Sequence, residues 1–170
     1  IAHCAGRNWS LGGGLDGDGF YAGLLDITNN VVYNWNGRTT DGGAHKVNFV
    51  NNYYKPGAAI DNIYALTAQH EAVGRGTQQY YFAGNVMPGY FDESTQEKGR
   101  KYQGNPTWET WVNQPFFASE ITEHSARDAY KHVLSDVGAS QPFFDNHDTR
   151  MVRETLEGSF SIRGSKSNLP

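Results

Sequence analysis

With 170 residues, the chain has the length of one domain and can bury a sizeable core. A net charge of −4 lacks the basic field that phosphate backbones require, and no apolar run approaches the roughly 20 residues of a membrane-spanning helix, so neither nucleic acid nor membrane is an expected partner. Twenty glycines and 14% aromatic residues suit many turns and a surface for flat, hydroxyl-rich ligands. Cys4 is the single cysteine, which rules out an internal disulfide; it reads as a small buried hydrophobe.

The chain opens on IAHCAGR, which has the look of a strand entered midway. This suggests the second half of a repeat, and hence the C-terminal portion of a longer protein. IAHC aligns loosely with VVYN at 31–34 and YYKP at 53–56. Residues 6–23 hold seven glycines in 18 positions and read as a loop. No phosphate-binding glycine motif fits there. Asp16-Gly17-Asp18-Gly19 resembles the front of a calcium loop but lacks the distal ligands of an EF-hand, so it reads as a solvated tip.

Two segments then say the same thing twice: LLDITNNVVYNW at 24–35 and HKVNFVNNYYKPG at 45–57. Each has an alternating apolar strand, an Asn-Asn pair and a second short strand. A weaker third copy, QQYYFAGNVMPG at 78–89, puts Asn85 where Asn30 and Asn52 stand, with Gly84 before it. The steps are 22 and 33 residues. Such a period is that of stacked repeats, each unable to bury its own apolar face. Asn tolerates the left-handed backbone region, so the pair reads as a sharp bend, and the three asparagines are expected to stack about 4.8 Å apart. The fold class expected is all-β, a right-handed single-stranded parallel β-helix with C-terminal capping helices; an antiparallel sandwich with Asn-rich turns is the alternative.

Between the repeats, NGRTTDGGA at 36–44 brings Arg38 near Asp41, a spacing that reads as a surface ion pair. Residues 58–77 read as an irregular excursion, and 90–107 as a long charged loop. Trp108 and Trp111 read as covers for apolar surface. Farther on, Ser125 is a good N-cap for a helix whose apolar stripe is Ala129, Tyr130, Val133, Leu134 and Val137, stopped by Gly138. A second helix is expected over 146–156, ending at Gly158, with Arg150 and Arg153 on its polar face. The last dozen residues, Ser/Gly-rich, are expected to cling to the surface. Coils and loops thus occupy 1–122 and a helical extension 123–170.

These segments resemble the pectate lyase family of parallel β-helix enzymes. The likeness is carried by AHCAGRN, NNVVYNW, VNFVNNYYKPG and the tail ARDAYKHVLSDVGAS…DNHDTRMVRETLEG. The resemblance implies calcium-assisted β-elimination of polygalacturonate by a secreted or periplasmic enzyme. It also implies a catalytic Arg7, by position, with Arg38, Trp9 and Trp35 as candidate substrate-binding residues. The calcium ligands would lie upstream of Ile1, in an N-terminal half of the same enzyme. Two departures stand out: Asn8 and Trp9 replace the family's Pro, and Gly12 stands where its second Arg belongs. Two other functions compete. One is a non-catalytic binder of acidic polysaccharide or a scaffold; the other is a glycoside hydrolase, which needs paired carboxylates that these loops do not offer.

Overall fold

The three asparagines do stand over one another, and the sheets are organised around them. In the computed structural model, which describes residues 1–138 and 143–161, Asn30 donates from its backbone N–H and its amide to Asn52 Oδ1 at 3.0 Å each. Asn52 does the same to Asn85 Oδ1, at 2.9 and 3.0 Å. Each preceding residue takes the left-handed region: Asn29 at φ 58°, Asn51 at φ 54° and Gly84 at φ 66°. Asn and Gly carry the smallest penalty there, so the bend recurs wherever one of them precedes a ladder asparagine.

Strands enter and leave these bends. The first sheet joins β1 (Trp9–Gly12), β4 (Thr40–Gly43), β7 (Leu66–Gln69) and β9 (Arg100–Gln103) in that order, all parallel. The second runs β2 (Leu24–Thr28), β5 (Lys46–Val50), β8 (Gln79–Ala83) and β10 (Trp111–Val112), again parallel. The third holds only β3 (Val31–Tyr33) and β6 (Tyr53–Lys55). Alternate residues of each strand point inward, so Val47 lies beside Leu25 and Tyr80, while Phe49 stacks on Phe82 with ring centroids 5.4 Å apart. Leu11, Val32, Tyr54, Leu66 and Ala68 join this core.

The all-β, parallel β-helix expectation is corrected by these sheets and by the helices. Among the described residues the chain forms three separate short parallel sheets of four, four and two strands, without a closed solenoid, and two α-helices give it mixed α/β character. The third sheet shows why. It continues past its two strands only as single bridges, Ala2 to Tyr33 and Tyr53 to Val86. After Val86 the chain reaches Met87-Pro88-Gly89, where proline offers no donor, and folds back on itself through the Met87–Phe91 bridge. The Ala2–Tyr33 bridge also sets IAHC one residue out of the alignment read from sequence.

Helix α1 (Ala126–Asp136) starts where Ser125 accepts the Asp128 N–H, and α2 (Asn146–Glu157) starts at Asp145, whose carboxylate accepts from His147 and Asp148. Gly158, at φ 72°, ends α2 by donating to the Glu154 carbonyl. The first helix stops one residue short of the expected stripe, because Val137 is extended. Both helices pack on the sheets: Tyr130 lies on Tyr53 with ring centroids 4.6 Å apart, and Lys55 Nζ donates to the Thr155 and Leu156 carbonyls at 2.6 and 2.9 Å. No helix among the described residues is long and apolar enough to cross a membrane. The Ser/Gly-rich tail from 162 onward lies outside the described residues.

Candidate functional site

The register of the first sheet decides which sequence candidates meet. Trp9 pairs with Thr40 and Ser10 with Asp41, so Arg7 and Arg38, two residues before Trp9 and Thr40, occupy equivalent places in adjacent layers. Both converge on Asp41. Arg7 Nε lies 2.7 Å from Asp41 Oδ1 and Arg38 Nε 2.6 Å from Oδ2. The carboxylate between them is buried at 5% exposure, while the two arginine side chains are each 43% exposed. Arg38 donates its Nε–H to Oδ2, whereas Arg7 meets Oδ1 as an ion pair without an aligned hydrogen bond, and both side chains remain partly exposed.

Neighbouring groups hold the loop that carries this triad. Arg7 Nη1 donates to Ser10 Oγ at 3.0 Å. Asn8, 7% exposed, donates its backbone N–H to the Thr39 carbonyl and its amide to the Arg38 carbonyl at 2.9 Å. Thr39 Oγ1 in turn donates to the Tyr64 carbonyl. Further along the same sheet, Lys101 aligns with Asp41 through Thr67, and its Nζ sits 4.6 Å from the centre of the Tyr64 ring. The arrangement is a carboxylate-centred pair of cations on the outer face of a sheet, which can take up an anion bidentately.

Trp9 is partly exposed, at 37%, and begins the strand that follows Arg7. Trp35, expected as a sugar-stacking residue, is corrected: it is fully buried, its indole N–H donates to the Asn62 carbonyl at 2.8 Å, and its ring meets Tyr54 edge-on. A ligand cannot reach it. Tyr33 is buried too, with its hydroxyl donating to the Ser159 carbonyl. Asp41 was legible only as a surface partner of Arg38; its burial and its second arginine follow from the pairing of β1 with β4.

Two more polar clusters escaped sequence reading. Gln96, in a single 3-10 turn at Gln96–Gly99, tops the asparagine ladder: its Oε1 accepts from the Asn85 N–H, and its amide donates to the Asn85 and Asp92 carbonyls. Glu154, expected nowhere, is a 2%-exposed carboxylate that binds Arg150 Nη1 at 3.1 Å and the Ser161 hydroxyl at 2.5 Å and lies 2.9 Å from His3 Nε2 without an aligned hydrogen bond. His3 Nδ1 meets the Asn34 amide at 2.8 Å, and since that amide donates, the ring carries its proton on Nε2.

Calcium does not fit the described residues. Among them no three His, Cys, Asp or Glu side chains converge, and Asp41 is surrounded by two guanidiniums that repel a cation. Asp16 is turned to its own loop, accepting the Asp18 and Phe20 N–H groups, which is how a solvated tip closes. No family model matches this chain, and no curated protein matches it.

Proposed function

We propose that this chain is a polysaccharide lyase, or the C-terminal portion of one, that cleaves polygalacturonate by β-elimination outside the cell, in a secreted or periplasmic setting. One observation carries the reading: Arg7 and Arg38 converge on the buried Asp41 and present a paired, partly exposed cationic face. A uronate carboxylate bound by that face gains negative charge as the adjacent C5–H bond breaks. The electron pair forms the C4–C5 double bond, and the C4–O bond to the leaving sugar breaks. Fixed positive charge stabilises this transition state more than the ground state. A guanidinium keeps its proton, so Arg7 serves as a cation clamp and hydroxide from solvent takes the C5 proton.

The purified protein is incubated with polygalacturonate while the ultraviolet absorbance of the unsaturated product is followed, with and without added calcium. Absorbance rises in wild type, and Arg7→Lys lowers the rate by about 100-fold, because a point charge cannot reproduce the guanidinium fork. An Arg7→Lys protein of unchanged turnover places the reaction elsewhere, and no absorbance gain from wild type or from a longer parent chain removes the lyase. A second reading, a non-catalytic binder of acidic polysaccharide, is favoured by one feature. Among the described residues Arg7, Arg38 and Asp41 bond one another and Ser10, and no imidazole or second carboxylate joins them as a base. Retention of the polymer without absorbance gain selects it.

A further inference from the structure

We infer that Asp41 is a positioning residue, which locks Arg7 and Arg38 into one fork for an incoming carboxylate; this rests on the polyuronate reading above. The two arginines occupy equivalent places just before strands that lie about 4.8 Å apart, a separation at which like charges push one another away. The carboxylate between them opposes that. It is 5% exposed, and its two oxygens are divided, one to each Nε. Oδ2 accepts the Arg38 Nε–H, while Oδ1 meets Arg7 as an ion pair without an aligned hydrogen bond; a buried carboxylate held between two cations cannot swing out without losing both, so it sets the direction of both guanidiniums. Arg7 is fixed further by Ser10, and the Arg38 backbone by the Asn8 amide.

Position and charge make opposite predictions here. Removing the Asp41 charge makes the protein more positive, which by charge alone tightens a polyanion. Removing an aligner loosens it. The test measures binding of polygalacturonate at one ionic strength for wild type, Asp41→Asn and Asp41→Glu, alongside the nitrogen-15 NMR signals of the arginine Nε–H groups. In wild type the hydrogen-bonded Arg38 Nε–H signal is protected from exchange; Asp41→Asn loses that protection and binds the polymer about tenfold more weakly despite the added charge. Asp41→Glu, with the same charge moved by one methylene, also binds more weakly. An Asn variant that binds as tightly as wild type or tighter, or a Glu variant of unchanged affinity, overturns the assignment. If Asp41→Asn does not fold, as its melting curve reports, the Glu variant decides. Wild type that retains no polygalacturonate brings down the functional reading itself, and the assignment with it.

Discussion

Asn52 shows how much one side chain can organise. It is fully buried; its Oδ1 accepts twice from Asn30, while its own N–H and amide reach Asn85 and the Ile27 carbonyl. Alanine at this position removes the acceptor of the part-buried Asn30 N–H and amide and the donor that reaches Asn85 Oδ1 and the Ile27 carbonyl. We expect Asn52→Ala to destabilise the protein by about 3 kcal/mol, read as a fall in urea midpoint at unchanged slope. Asn29 and Asn51 follow a different logic, since their cost lies in the backbone. They hold positive φ, where a β-branched residue is strained.

The two helices are joined to the sheets by few polar contacts, and Lys55 makes the most concentrated of them. Its ammonium, at the end of β6, meets the carbonyls of Thr155 and Leu156 and the Tyr130 hydroxyl at 3.0 Å. Those carbonyls belong to the last turn of α2, where the helix is partially negative and its acceptors lack intrahelical partners. Lys55→Met preserves much of the stem packing but removes all three bonds. The expected loss is about 1–2 kcal/mol, seen as faster amide hydrogen exchange in α2 with the strand amides little changed. The Arg127–Glu93 and His3–Glu154 contacts and the packing of Tyr130 on Tyr53 then hold the helix pair.

At the scale of the whole molecule, acid should loosen the structure before it unfolds the sheets. Burial first, and then Arg150, hold the His3 imidazole below its ordinary value of 6.5, against the pull of Glu154. Burial also lowers His70. An imidazole kept neutral in the fold but free to protonate in the unfolded chain leaves stability flat above 6.5 and erodes it as pH falls below that value. Burial works to raise the Glu154 carboxyl, yet the bonds from Ser161 and Arg150 outweigh it and leave the group below its ordinary 4.5. Its stabilising effect is present above 4.5 and disappears as pH drops through the folded-state value. Both effects have the same sign. Chemical denaturation between about pH 7 and about pH 5 should show a falling midpoint, and His3→Gln should remove part of that slope while His70 retains the rest. A midpoint independent of pH across this window would contradict the neutral His3 tautomer.

The sequence alone determined what rests on local chemistry. Asparagine and glycine mark the left-handed bends, alternation marks the inward faces of β2, β5 and β8, and Ser125 and Gly158 mark helix ends, because each depends on a residue's own backbone preference or on neighbours within a turn. Only the tertiary structure decided what depends on which strands lie side by side. Pairing β1 with β4 put a buried carboxylate between Arg7 and Arg38, 31 residues apart in the chain, and the packing around Tyr54 sealed Trp35 away from any ligand. The break in the third sheet was likewise invisible in the repeats, since it comes from where Pro88 and the fold-back at Phe91 fall relative to Tyr53. Periodicity specifies which residues can face inward; burial and long-range charge pairing are set by the layers that happen to cover them.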